Sequence, residues 1–260
     1  IEGTAGEYSG KPPGDDGASA CVKMAYMVES GEGKHVVIAA ADGSSARRLA
    51  SDGKWQLYPR LDSTGKYLAC VEGKDEQQLA IVIRDLSSGA TEQWTEAKGM
   101  HLHPNFSGNG RYLAFAGPLG PEGRSQIGII DLDAARREVA PSRDNSTNPA
   151  RLRYQASPRI IRSDHACFFP ALSSDGRFVV FERSKDQASK DIVLLDLTTE
   201  RLETISATEG KWMSPSISRD DRQIVYTGVS EGNWDVYVTD RLAKTTQRIT
   251  QAPSRELAPA

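Results

Sequence analysis

The sequence predicts an all-β chain of 260 residues, folded as a ring of four-stranded blades. Three observations carry this. A proline-led pattern stands at Pro59, Pro104, Pro170 and Pro215 and starts again at Pro259, at intervals of 45, 66, 45 and 44 residues. Each of the first four copies runs through a turn into an apolar stretch without clean alternation, as a strand covered on both faces does. Each unit then adds a second apolar run closed by Asp and a more polar, β-branched segment. Four strands in about 45 residues is the repeat of a β-propeller blade, and blades bury their faces only against one another, so the set must close.

In chain order, residues 1–21 are rich in Gly, Pro, Asp and Ser, with little to bury, and read as a flexible tail or linker. The propeller spans 22–260. Val22–Val28 and His35–Ala40 flank a glycine turn and predict a hairpin. Asp42-Gly43 marks a second turn, and Ala46–Ala50 a third, more polar strand.

Within the repeats, Gly65, Gly110, Gly176 and Asp221 follow their prolines by six positions, at a hairpin tip that calls for positive φ. Lys66, Arg111, Arg177 and Arg222 come next, ahead of the buried strands Tyr67–Cys70, Tyr112–Phe115, Phe178–Phe181 and Gln223–Tyr226. Asp85, Asp131, Asp196 and Asp240 close the third strands; they read as turn initiators rather than a carboxylate cluster. Residues 22–50 match strands two to four of a blade, and Glu256–Ala260 matches a lone first strand. One composite blade therefore latches the ring, giving five blades; six is the alternative. The longer interval places its extra residues in 141–165, a Pro-, Ser- and Asn-rich inserted loop.

Thirty-two Lys and Arg against 35 Asp and Glu leave a net charge of −3, so no basic field points to nucleic acid. No apolar run approaches the roughly 18 residues of a membrane helix. Cys21, Cys70 and Cys167 sit in apolar contexts and read as buried free thiols. No cofactor is implied. There is no Gly-x-Ser-x-Gly nucleophile elbow. The chain starts at Ile1, so any targeting segment is not visible.

The pattern x-Pro-x-x-Ser-x-Asp-Gly-Arg-aromatic, best kept at Ala171–Phe178, together with Ile-x-Leu-x-Asp-Leu, resembles the TolB-type (PD40, WD40-like) propeller repeat over about residues 22–260. The opening Met24-Ala25-Tyr26 hairpin and the closing Ala258-Pro259-Ala260 resemble the ends of TolB propellers. The resemblance implies a protein-binding scaffold of the periplasm or cell envelope, either a monomer or one module of a longer chain.

Function in a propeller concentrates at the axial mouth, where first strands begin. The positions there are Trp55, Gln56 and Tyr58; His101, His103 and Asn105; Phe168 and Phe169; and Trp212, Ser214 and Ser216. Of these, Tyr58, His101, His103, Phe168, Phe169, Trp212 and Ser214 are the partner-binding candidates. They change from blade to blade on a constant frame, as a recognition surface does; packing of the ring is the competing explanation for each aromatic. His101 and His103, two apart, would share a strand face, but no third ligand is evident, so no metal site is assigned. Arg151, Arg153, Arg159 and Arg162 of the insert are candidates for contacting an anionic partner, against the alternative of a solvated loop. The expected function is non-enzymatic docking of a protein or peptide at the mouth. The alternative is a glycan-acting hydrolase or lyase, which needs paired carboxylates over the channel; Asp62 and Glu256 are the acids on offer.

Overall fold

The computed structural model describes residues 23–31, 33–51, 53–138, 141–143, 151–186, 189–206, 210–230 and 232–251. Their strands form five sheets arranged as a five-bladed β-propeller. Blade 1 is β1 (Lys23–Ser30), β2 (Gly33–Ala40) and β3 (Arg47–Arg48). Blade 2 is β4 (Trp55–Leu61), β5 (Tyr67–Gly73), β6 (Gln78–Asp85) and β7 (Thr91–Gln93), with β8 (Gly99–Met100) parallel to β6. Blade 3 starts with β9 (Leu102–Phe106), β10 (Tyr112–Gly117) and β11 (Gln126–Asp131). The chain then leaves it through α1 (Leu132–Glu138), β12 (Ser142–Arg143) and β13 (Arg151–Arg153), and returns with the outer strand β14 (Arg159–Ile161). Blade 4 is β15 (Ala166–Leu172), β16 (Phe178–Ser184), β17 (Lys190–Asp196) and β18 (Leu202–Thr204). Blade 5 is β19 (Trp212–Ile217), β20 (Gln223–Ser230), β21 (Asn233–Asp240) and β22 (Thr245–Arg248).

The apolar runs divide their residues between two neighbours. On β5, Leu68 and Cys70 pack against Val36, Ile38 and Leu49 of blade 1, while Ala69 and Val71 join Leu113 and Phe115 of blade 3. On β10, Ala114 and Ala116 turn the other way, to Val179 and Phe181 of blade 4. Val180 in turn packs with Ile224 and Tyr226 of blade 5. Period-2 geometry thus sends alternate apolar residues into opposite inter-blade cores, which is why the runs need no polar face.

The turns explain the phased polar residues. Ser107, Ser173 and Ser218 accept, at Oγ, the backbone N–H of Tyr112, Phe178 and Gln223 at 2.8–2.9 Å. Asp62 does the same for Tyr67 in blade 2 at 2.7 Å. Arg111, Arg177 and Arg222 reach Asp131, Asp196 and Asp240 at 2.6–2.8 Å. Those Asp residues also accept backbone N–H groups of the turn that follows, as Asp196 does from Thr198 at 2.9 Å. The recurrent aspartates are turn residues.

The insert differs from a plain loop. β13 lies parallel to β7 and β12 pairs antiparallel with β13, so the excursion widens the blade 2 sheet to seven strands, β8 included. A buried polar row crosses the blade and anchors it. Gln56, Glu72, Arg84, Gln93 and Arg151 are each less than 10% exposed. Glu72 binds Gln56, Arg84 and Arg151, and Arg151 also donates to Gln93 at 3.2 Å. Arg151 is therefore turned inward rather than toward an outside anion.

Cys70 and Cys167 are buried and unpaired, as expected; burial raises both thiols, Cys167 to about 11. Cys21, the 1–21 tail and the closing strand Glu256–Ala260 lie outside the described residues. β1, beside which that strand is expected, leaves Met24, Tyr26 and Met27 about 40% exposed. No helix among the described residues is long and apolar enough to cross a membrane.

Candidate functional site in the axial channel

The four described inner strands share one distortion. β4, β9, β15 and β19 each slip register against the next strand at their proline. The residue before that proline adopts positive φ in every case: Tyr58 at 51°, His103 at 55°, Phe169 at 50° and Ser214 at 53°. A non-glycine residue held there costs on the order of 1–3 kcal/mol. Four in phase turn four side chains into a single axial cavity of about 460 Å³, lined also by Arg60, Asn105 and Ser216.

Three rings crowd one side of this cavity. His103 stacks on Phe169 with centroids 3.7 Å apart, and Tyr58 meets His103 edge-on at 4.5 Å. Burial, with a smaller contribution from the Arg60 charge, pushes the His103 pKa down to about 3, so the imidazole is neutral at ordinary pH. Its Nδ1 is buried and has no hydrogen-bond partner among the described residues. Ser214 is the smallest of the four and leaves the blade 5 side open. Asn105 accepts the Leu172 N–H at 2.9 Å, tying blade 3 to blade 4 at the same level.

The sequence candidates thus separate into two groups. Tyr58, His103, Phe169 and Ser214 converge on the axis. His101, Phe168 and Trp212 go into the walls. His101 packs over Gly117 and Phe115, with Nδ1 3.3 Å from the Leu79 carbonyl. Phe168 packs against the core between blades 3 and 4. Trp212 is 5% exposed and edge-on to Tyr226 and Tyr237. His101 and His103 do not share a face, because the left-handed residue breaks the two-residue period. Among the described residues no group of three His, Cys, Asp or Glu could hold a metal ion.

The insert arginines are dispersed. Arg153 is exposed beside a second cavity under Trp94 and Tyr154. Arg159 binds the Leu197 carbonyl and Glu200, and Arg162 is exposed near Asp164. Asn105 and Ser216 of the mouth positions also line the cavity, and the lining residue that sequence reasoning passed over is Arg60, which follows its proline directly as they follow theirs. Alignment on the proline puts them in one column, and that phase was the available signal.

No family model matches the chain, and no curated protein matches it in sequence. Solved structures do. TolB from Acinetobacter baumannii is similar with a TM-score of 0.71 and 20% identity, over 92% of this chain and 55% of that one. The putative TolB from Agrobacterium tumefaciens follows at 0.66 and 17%, over 86% and 72%. The β-propeller domain of the Trilobed protease from Pyrococcus furiosus, which has an open velcro topology, aligns at 0.53 and 14%, over 88% and 82%. The class defined by blades and channel is a β-propeller. Within that class the fold is TolB-like, and at these identities the likeness is one of fold. The chain spans 55% of the Acinetobacter TolB.

Proposed function

We propose that this chain is a non-enzymatic scaffold of the bacterial cell envelope that docks a protein or peptide at its axial mouth. The observation that carries the reading is the in-phase set Tyr58, His103, Phe169 and Ser214: constant in backbone, different in side chain, and converging on one cavity. Constant blades with variable, partly exposed aromatics suit recognition rather than packing, since Tyr58 keeps 40% of its surface exposed. The envelope setting rests on the TolB-like fold.

The second reading is a glycan-acting hydrolase or lyase with carboxylates in the central channel, although the enzyme whose propeller aligns above is a protease. It needs two carboxylates facing each other about 5–10 Å apart. Among the described residues the mouth cavity has none, and at the opposite end Asp62 is already committed to its turn, accepting from Thr64 and Tyr67. A photo-crosslinking residue in place of Tyr58 tests the docking reading. It should trap a partner that the same residue in place of the 70%-exposed Leu242, on the β21–β22 turn, does not. Equal trapping at both positions would count against it.

A further inference from the structure

The mouth holds a charge that the described residues leave unanswered. Arg60 follows the bulge proline on β4 and lines the cavity with His103, Asn105, Ser214 and Ser216, where no described residue is acidic. Arg111, Arg136, Arg177, Arg183 and Arg222 each hold an Asp or Glu. Arg60 makes no hydrogen bond or ion pair with a described residue. Arg60 is exposed at the mouth; the surrounding walls lower its pKa, yet a guanidinium stays charged. Such a group is suited to a carboxylate, which takes two parallel N–H donors.

The surroundings fit the same ligand. The buried Nδ1 of neutral His103 lacks a partner, and the hydroxyls of Ser214 and Ser216 make no hydrogen bond to a described residue. Tyr58 and Phe169 supply apolar walls for the carbon stem of a side chain. The cavity volume lies in the range of pockets that enclose a small group rather than a folded surface. Tyr58, about 40% exposed at the rim, offers contact area to chain beside that group. We infer that the axial cavity is a carboxylate site, in which Arg60 pairs with an acidic side chain on an extended segment of a protein partner. The inference rests on docking at the mouth and adds the chemistry of what enters.

The test uses two end-blocked peptides, Gly-Ser-Glu-Leu-Gly-Ser and its Gln counterpart, titrated into ¹⁵N-labelled protein. The signal is the Arg Nε–H resonance that disappears in Arg60→Gln. The Glu peptide should move it saturably and bind about tenfold or more tighter than the Gln peptide, and Arg60→Gln should erase that preference. Equal binding of both peptides, lost on changing Tyr58 and Phe169 to Ala, would overturn the carboxylate site while leaving mouth docking intact. No saturable binding of either peptide would overturn it as well. Free glutarate binding as tightly as the Glu peptide would make the ligand a small dicarboxylate. A resonance that shifts in Glu256→Gln before any peptide is added would assign the site to this chain's own Glu256. Either result overturns the proposal.

Discussion

Arg151 of the inserted segment holds Glu72 of β5 in a buried ion pair of 3.1 Å, reaching across β7 and β6 to do so. Glu72 is also the counter-charge of Arg84, so one carboxylate serves two buried guanidiniums. Glu72→Ala should therefore destabilise the fold by about 3–5 kcal/mol, since it strands both. Glu200→Ala, which releases the exposed Arg159, should change stability by about 1 kcal/mol or less. Urea denaturation of the two variants makes the comparison.

The same pair marks where sequence reading stopped. Blades, turns and phased Arg–Asp pairs follow from residues near one another in the repeat, so their spacing was enough to find them. The insert departs from the repeat, and nothing local in Arg151-Leu152-Arg153 tells that this strand runs beside Thr91-Glu92-Gln93. The mouth was half legible for a related reason. Phase located Tyr58, His103, Phe169 and Ser214, but strict alternation could not assign His101 and Trp212 to the walls, because the positive φ that separates them is a backbone property.

Trp212 stands directly opposite Gly228, and its ring occupies the space a Cβ on Gly228 would need. Gly228→Ala should cost about 1–3 kcal/mol through overpacking. A chemical denaturation midpoint that does not fall would show that the ring can move aside.

His103 gives the fold a pH dependence of known sign. Its folded pKa of about 3 lies below the roughly 6.5 of an unfolded His, so the unfolded chain binds more protons between those values. The penalty is absent above pH 6.5 and grows as pH falls from there toward 3. His101, also lowered by burial, acts in the same direction. His103→Asn should flatten part of the decline in Tm between pH 6.5 and 4; an unchanged slope would mean that His103 is protonated in the folded state.

Ring closure is testable by truncation. If Glu256–Ala260 supplies the inner strand beside β1, deleting it uncovers an apolar edge and removes one strand's ladder of hydrogen bonds. The Tm should drop sharply and the protein should self-associate. A truncated chain as stable as the full one would place closure elsewhere.

The central claim, that the mouth is a docking site on an indifferent scaffold, is tested most directly by capture. Tagged protein and a Tyr58→Ala, His103→Ala, Phe169→Ala variant are incubated with a bacterial envelope fraction, and retained proteins are compared alongside the Tm of each bait. Docking at the mouth predicts a specific partner lost from the triple variant, with a Tm nearly unchanged because these side chains line a cavity rather than fill an inter-blade core. The same partner retained equally by both baits would contradict it.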